Sequence, residues 1–208
     1  MSLVRNPVFA WYFARCGARR EERGNRELRR EMVAGLSGQV VEVGAGTGLN
    51  FPHYPATVRE VVAVEPEPYL RERAGKAAAE APVPVRVVDG MADRVPGGPY
   101  DAVVVSGVLC SVADPRAALE EFRRVLRPGG ELRFYEHVRS RDAVFGRAQD
   151  AANLVWPRLM GGCRCNQDTL TEIRRVFGVA HVRGFRFPYG AVFSPVAPRA
   201  LGAARARP

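Results

Sequence analysis

The residues best placed to do chemistry stand in Val40-Val41-Glu42-Val43-Gly44-Ala45-Gly46-Thr47-Gly48, where an apolar run carrying Glu42 passes into glycines at every second position. Glycines so spaced let the backbone turn sharply and approach a ligand with no Cβ in the way. A dinucleotide fingerprint would need Gly-x-Gly-x-x-Gly, and counted from Gly44 its third glycine falls on Leu49. The residues that follow, Asn50-Phe51-Pro52-His53-Tyr54-Pro55, would not open a long helix, which counts further against a nicotinamide dinucleotide. Two imidazoles are candidate proton acceptors: His137, closing an apolar run, and His53, in the loop after the glycines. Cys16, Cys110, Cys163 and Cys165 are too few and too irregularly spaced for a disulfide framework and suit a reducing, cytoplasmic setting. Cys163-Arg164-Cys165 lacks the two-residue spacing of a zinc knuckle, and His53, His137 and His181 form no ligand cluster with it. No metal site is expected, and Cys110 and Cys163 read as small buried side chains rather than nucleophiles.

The elements that must position these groups can be read from the hydrophobic pattern. Residues 39–43, 60–65, 83–89, 100–106 and 130–137 are predicted strands. Runs such as Val61-Val62-Ala63-Val64 and Ala102-Val103-Val104-Val105 are apolar without alternation, which suits strands covered on both faces in a parallel sheet. Helices are predicted over 69–81 and 114–126, the second capped by Asp114 with Pro115 in its first turn, and over 142–160. Thr169 and Glu172 have the spacing of a capping box that opens a short helix through Phe177. Residues 179–187 and 191–197 are expected to form a closing antiparallel hairpin around Pro188-Tyr189-Gly190, with 199–208 a frayed tail. Together these give a Rossmann-like, doubly wound, mostly parallel seven-stranded sheet with an antiparallel C-terminal hairpin.

Ahead of it, residues 1–36 read as a helical appendage: a short aromatic helix over 7–16 ended by Gly17, then a charged helix whose apolar face is Leu28, Met32, Val33 and Leu36. The chain of 208 residues, 47% hydrophobic and 25% charged, has the composition of one globular domain, here placed over 37–198. Its apolar runs fall short of the roughly 20 residues a membrane-crossing helix needs. The formal charge of +9 comes almost wholly from arginine, with Lys76 the sole lysine, as a GC-rich genome would produce, and is discounted as a nucleic-acid signature.

In its glycine segment the sequence resembles the class I S-adenosylmethionine-dependent methyltransferases, whose first motif reads acidic-x-Gly-x-Gly-x-Gly. Glu42, Gly44, Gly46 and Gly48 match it, and four further matches follow in order: Glu65 ending the second strand, Asp89-Gly90-Met91 ending the third, the fourth strand through Ser106, and Arg127-Pro128-Gly129-Gly130 before the fifth. The resemblance implies S-adenosylmethionine as cofactor, with Glu65 accepting the ribose hydroxyls, Asp89 the adenine amine, and Gly90 or Met91 presenting a backbone N–H. Thr47, Asn50, Pro66 and Ser106 complete the cofactor-binding set it implies. Leu109-Cys110-Ser111-Val112, Glu136-His137-Val138 and Trp156 ahead of Gly162-Cys163 are similar to the branch of microsomal alkyl-thiol S-methyltransferases, with quinone and phospholipid methyltransferases more distant. The acceptor is then a small molecule, an alkyl thiol first and a phospholipid or quinone-like compound second, and a cofactor-binding module without catalysis is the remaining alternative. A thiol acceptor must ionise, which makes His137 the expected base and His53 the second candidate. Phe9, Tyr12 and Phe13 are expected to form a lid over the pocket or, failing that, a peripheral membrane contact. No nucleic-acid partner is expected, because Ser106-Gly107-Val108-Leu109 stands where a base-methylating enzyme would show Asn/Asp-Pro-Pro-aromatic.

Overall fold

A computed structural model describes residues 6–187 and 194–206. Seven strands, β1 (Gly38–Val43), β2 (Val58–Val64), β3 (Val85–Val88), β4 (Tyr100–Ser106), β5 (Leu126–His137), β6 (Phe177–Arg186) and β7 (Pro198–Ala206), form one sheet in the order β3-β2-β1-β4-β5-β7-β6. Strands β1 to β5 pair in parallel, and β7 pairs antiparallel with both β5 and β6. The glycine loop leaves β1 where the connections to β2 and β4 diverge to opposite sides, the crevice in which open α/β sheets bind ligands.

Both faces of the sheet are buried, which accounts for the unbroken valine runs. Val41, Val43, Val62, Val64, Val103 and Val105 face a layer made by α4 (Pro115–Val125) and α7 (Thr169–Val176), through Leu119, Phe122, Ile173 and Val176. Val40, Val61, Ala63, Ala102 and Val104 face α2 (Arg26–Val33) and α3 (Pro68–Ala78), through Leu28, Met32, Val33 and Ala74. Asp114 caps α4 by accepting from Arg116 N and Ala117 N at 2.9 and 3.0 Å, as expected.

Four expectations need correction. Helix α1 (Pro7–Arg20) runs through Gly17, and the chain instead bends at Gly24, whose φ of 104° favours glycine. Helix α2, placed in the appendage, belongs to the core: Leu28, Met32, Val33 and Leu36 are buried, and Arg133 of β5 donates to the carbonyls of Met32 and Ala34. The helix foreseen over 142–160 divides into α5 (Ala143–Ala152) and α6 (Trp156–Leu159), because Pro157 in the first turn of α6 cannot continue the bonding of α5; Asn153, which ends α5, accepts from Cys165 N. Helix α7 is capped by Asp168 rather than Thr169, whose hydroxyl donates to the His137 carbonyl.

The last strand is also displaced. Residues 188–193 lie outside the described residues, 194–197 form a turn, and the supposed tail is β7, wedged between β5 and β6. Small residues let it fit there. A Cβ on Gly202 would stand 2.3 Å from the His181 carbonyl oxygen and 2.8 Å from the Phe134 ring. Gly202→Ala should therefore destabilise the fold by about 1–3 kcal/mol, the usual scale of overpacking, read as a lower urea midpoint. A parental midpoint would mean that this segment does not pack as described.

Candidate functional site

Three carboxylates are buried at or just beyond the carboxyl ends of strands, and each is held by the loop it faces. Glu42, 2% exposed on β1, accepts from Asn50 Nδ2 at 2.8 Å and from the Tyr54 hydroxyl at 2.7 Å. Asn50 in turn accepts from Arg29 Nη1 at 2.8 Å, and Arg29 pairs through Nε with Glu21. Glu65, just past β2, accepts from Gly46 N at 2.7 Å and Glu67 N at 2.9 Å. Glu136, 1% exposed on β5, accepts from the backbone N–H groups of Val108, Leu109 and Cys110 at 2.8, 3.1 and 3.4 Å. Burial pushes all three up to about 7, outweighing the hydrogen bonds that favour the ionised form.

The glycine loop turns through positive φ at Gly44, Gly46 and Gly48. A Cβ on Gly44 would strike Val108 at 2.4 Å, so the loop after β1 lies directly against the loop after β4. Over Gly46 lies the ring of Phe13, 3.2 Å from where a Cβ would stand, and one turn earlier Phe9 covers Gly161 at 2.6 Å. Helix α1 thus spans the glycine loop and the segment before Cys163. Tyr12 does not join this contact: with Val8 and Trp11 it is exposed. Thr47 lines a cleft of about 450 Å³ with Ala14, Arg15, Arg73 and Lys76.

At the end of β3, Asp89 is largely exposed and pairs with Arg71 at 3.1 Å, while Arg71 also donates to the carbonyls of Glu65 and Pro66. Gly90 sits where a Cβ would meet Val64, and Met91 is exposed beside it. Ser106 closes β4 with its hydroxyl 3.5 Å from Arg29 Nη1. The predicted cofactor residues therefore share the carboxyl edge of β1 to β4.

His137 ends β5, with Nδ1 3.4 Å from Cys110 Sγ and 3.4 Å from Cys163 Sγ, and the two sulfurs stand 3.6 Å apart. This corrects the reading that no histidine joins a ligand cluster; spacing along the chain could not show it, because the three residues come from three segments. The contact with Cys110, aided by His137, holds the Cys163 thiol well below its usual range, and Cys110 is pushed up. His53 is not in this group; burial lowers its pKa, and the charges bearing on it are Glu21 and the arginines of α2. Cys165 turns the other way, toward the Gln149 carbonyl. Sequence reasoning missed Arg29, Tyr54 and Glu136 as site residues. Glu136 had a signal, an acid in an apolar strand end like Glu42, but Arg29 and Tyr54 had none beyond their proximity in the fold.

Residues 41–134 match the Methyltransf_11 family, described as a methyltransferase domain. The chain is 33% identical over 200 residues to thiol S-methyltransferase TMT1B of Homo sapiens, covering 89% of this chain and 80% of that one. It is 34% identical over 125 residues to demethylmenaquinone methyltransferase of Mycobacterium tuberculosis, covering 59% and 51%. In fold it is similar to the N-methyltransferase NodS of Bradyrhizobium japonicum, solved with S-adenosyl-l-homocysteine, at a TM-score of 0.65, 15% identity and 90% and 87% coverage.

The raised Glu136 carboxyl makes a testable statement about stability. Its acid form is favoured by burial, so its contribution is complete below the ordinary 4.5 and is lost as pH rises through about 7. Glu136→Gln keeps an oxygen for the loop N–H groups and cannot ionise. Its unfolding midpoint should fall less than the parent's across that window, and an equal fall would show that Glu136 does not titrate there.

Proposed function

Because the chain belongs to the class I S-adenosylmethionine-dependent methyltransferases, in the branch of the thiol S-methyltransferases, we infer that it methylates a small alkyl thiol. The residues present suit the cofactor. Glu65 keeps a buried carboxylate beside the glycine loop, where it can accept from hydroxyls, and Phe13 of α1 lies over that loop at Gly46. Gly44, Gly46, Thr47, Gly48, Glu65, Pro66, Asp89, Gly90, Met91 and Ser106 would hold it, with Glu42 and Asn50 fixing the loop from beneath. The cofactor supplies an electrophilic methyl carbon on a sulfonium centre, so the protein's task is alignment and an acceptor lone pair.

A thiol has an ordinary pKa of about 8.5 and must lose its proton before it attacks. The observation that carries the thiol reading is the corner where Cys110, His137 and Cys163 meet, beside the loop that Gly44 touches through Val108. His137 takes part there in ionising the acceptor. Helix α1 acts as a lid through Phe9 and Phe13, excluding water from the space it covers.

Purified protein supplied with methyl-labelled S-adenosylmethionine should convert small alkyl thiols to their methyl thioethers. His137→Ala should lower kcat/KM by about 10²- to 10⁴-fold near neutral pH. Removing residues 1–16 should raise the acceptor KM, and unchanged kinetics would take the lid role from α1. Methylation of a quinol or a phospholipid amine with no thiol accepted would overturn the thiol reading and favour the relationship to the quinone enzymes.

A further inference from the structure

The corner at the end of β5 has a geometry that a proton acceptor alone does not require. A tetrahedral zinc ion, with bonds of about 2.3 Å to sulfur and about 2.0 Å to imidazole nitrogen, sets two sulfurs about 3.8 Å apart and each about 3.5 Å from the nitrogen. Here the sulfurs of Cys110 and Cys163 are 3.6 Å apart, and His137 Nδ1 is 3.4 Å from each. Three side chains from three segments converge to within a few tenths of an ångström of that triangle.

Each segment is fixed by bonds that do not involve the three side chains. Glu136 holds the amide of Cys110, and Arg164 N donates to the Cys110 carbonyl at 2.7 Å, tying the Cys163 segment to the Cys110 loop. Thr169 donates to the His137 carbonyl at 3.2 Å, and the fully buried Gln149 amide donates to the carbonyls of Cys165 and Pro195. A ligand set pinned by its surroundings keeps its spacing.

Charge points the same way. Cys110 and Cys163 are buried, with His137 Nδ1 3.4 Å from each sulfur and the buried Glu136 carboxyl accepting from the Cys110 amide. Were both sulfurs to ionise there, a bound cation would have to offset their charge. Two sulfurs and one imidazole are soft and borderline ligands, suited to zinc, and three protein ligands leave one position for an exogenous group.

We propose that Cys110, His137 and Cys163 bind one zinc ion whose fourth position takes the acceptor thiol. The inference rests on the thiol reading and specifies how the corner ionises the acceptor. Loading the site leaves both cysteines as thiolates, any proton still on sulfur passing to solvent, and His137 binds as neutral imidazole through Nδ1. The acceptor thiol gives its proton to solvent as its sulfur joins the zinc, with no change of oxidation state. The resulting thiolate keeps a lone pair for attack, and a thioether product, being neutral, is a poorer ligand and leaves.

The test is metal analysis of the full-length protein equilibrated with zinc under reducing conditions, followed by cobalt(II) substitution. One zinc per chain is expected, and the cobalt protein should show an intense thiolate-to-metal charge-transfer band together with visible bands of a four-coordinate ion. Adding 2-mercaptoethanol should shift the visible bands whether or not a methyl group is transferred. Cys163→Ser and, independently, Cys110→Ser should bind zinc at least tenfold more weakly while circular dichroism shows a folded chain. If either variant fails to fold, the zinc and cobalt measurements on the parent decide alone. Failure of the parent to bind stoichiometric zinc would overturn the proposal, as would a cobalt spectrum without thiolate ligation or unmoved by the thiol. Undiminished thiol methylation by metal-free protein, or recovery of metal-free His137→Ala at alkaline pH, would also overturn it while leaving the thiol reading in place. Zinc binding with the thiol-induced shift but no thiol methylated would support the site and sink the thiol reading.

Discussion

Burying a carboxylate at the end of a strand obliges the chain to bring hydrogen-bond donors to it, and that obligation shapes the active edge of this sheet. Glu42, Glu65 and Glu136 stand on β1, past β2 and on β5, and the donors that reach them come from the loops proposed to hold ligands. An unsatisfied buried polar group costs about 1–3 kcal/mol, so each of these loops is anchored by a penalty for leaving. The glycine loop is fixed twice, from above by Glu65 accepting from Gly46 and from beneath by Glu42 through Asn50 and Tyr54.

From those anchors the remaining parts follow. Asn50 passes the constraint to Arg29 and so to Glu21, which binds the start of the chain to the glycine loop by buried polar contacts. Phe9 and Phe13, on one face of α1, then have two bare glycine surfaces to cover, at Gly161 and Gly46. On the other side, Glu136 fixes the loop of Cys110, and the backbone bond from Arg164 brings Cys163 to it. The proposed cofactor cradle and the sulfur-imidazole corner are neighbours because Val108, held by Glu136, fills the space beside Gly44.

Local chemistry made the parallel half of the fold legible in the sequence. Valine runs without alternation, glycines at every second position and Asp114-Pro115 each reflect a constraint acting over a few residues, and the structure places β1 to β5 and α4 where these indicate. The failures came where distant contacts decide. Gly17 has the character of a helix stop, but the bend fell at Gly24; residues 198–206 look featureless because their alanines and Gly202 carry no strand signal, and what calls for a small residue at Gly202 is the His181 carbonyl and the Phe134 ring, both distant in sequence. Cys110, His137 and Cys163 are uninformative by spacing and become a group only through the crossing of β4, β5 and the segment after α6. Glu136 was visible beside His137, yet its three N–H partners lie 26 to 28 residues earlier in the chain.

The proposed site depends on buried strand-end carboxylates anchoring the ligand, and proton linkage at Glu65 tests this directly. Its carboxyl is pushed up to about 7, so near neutral pH it is partly protonated in the free protein, and accepting hydroxyl hydrogen bonds favours the ionised form. Calorimetric titration with S-adenosylhomocysteine in buffers of different ionisation enthalpy should therefore report proton release from the parent near pH 7. The release should disappear in Glu65→Gln, with weaker binding. Equal affinity and equal proton release in the two proteins would contradict the account.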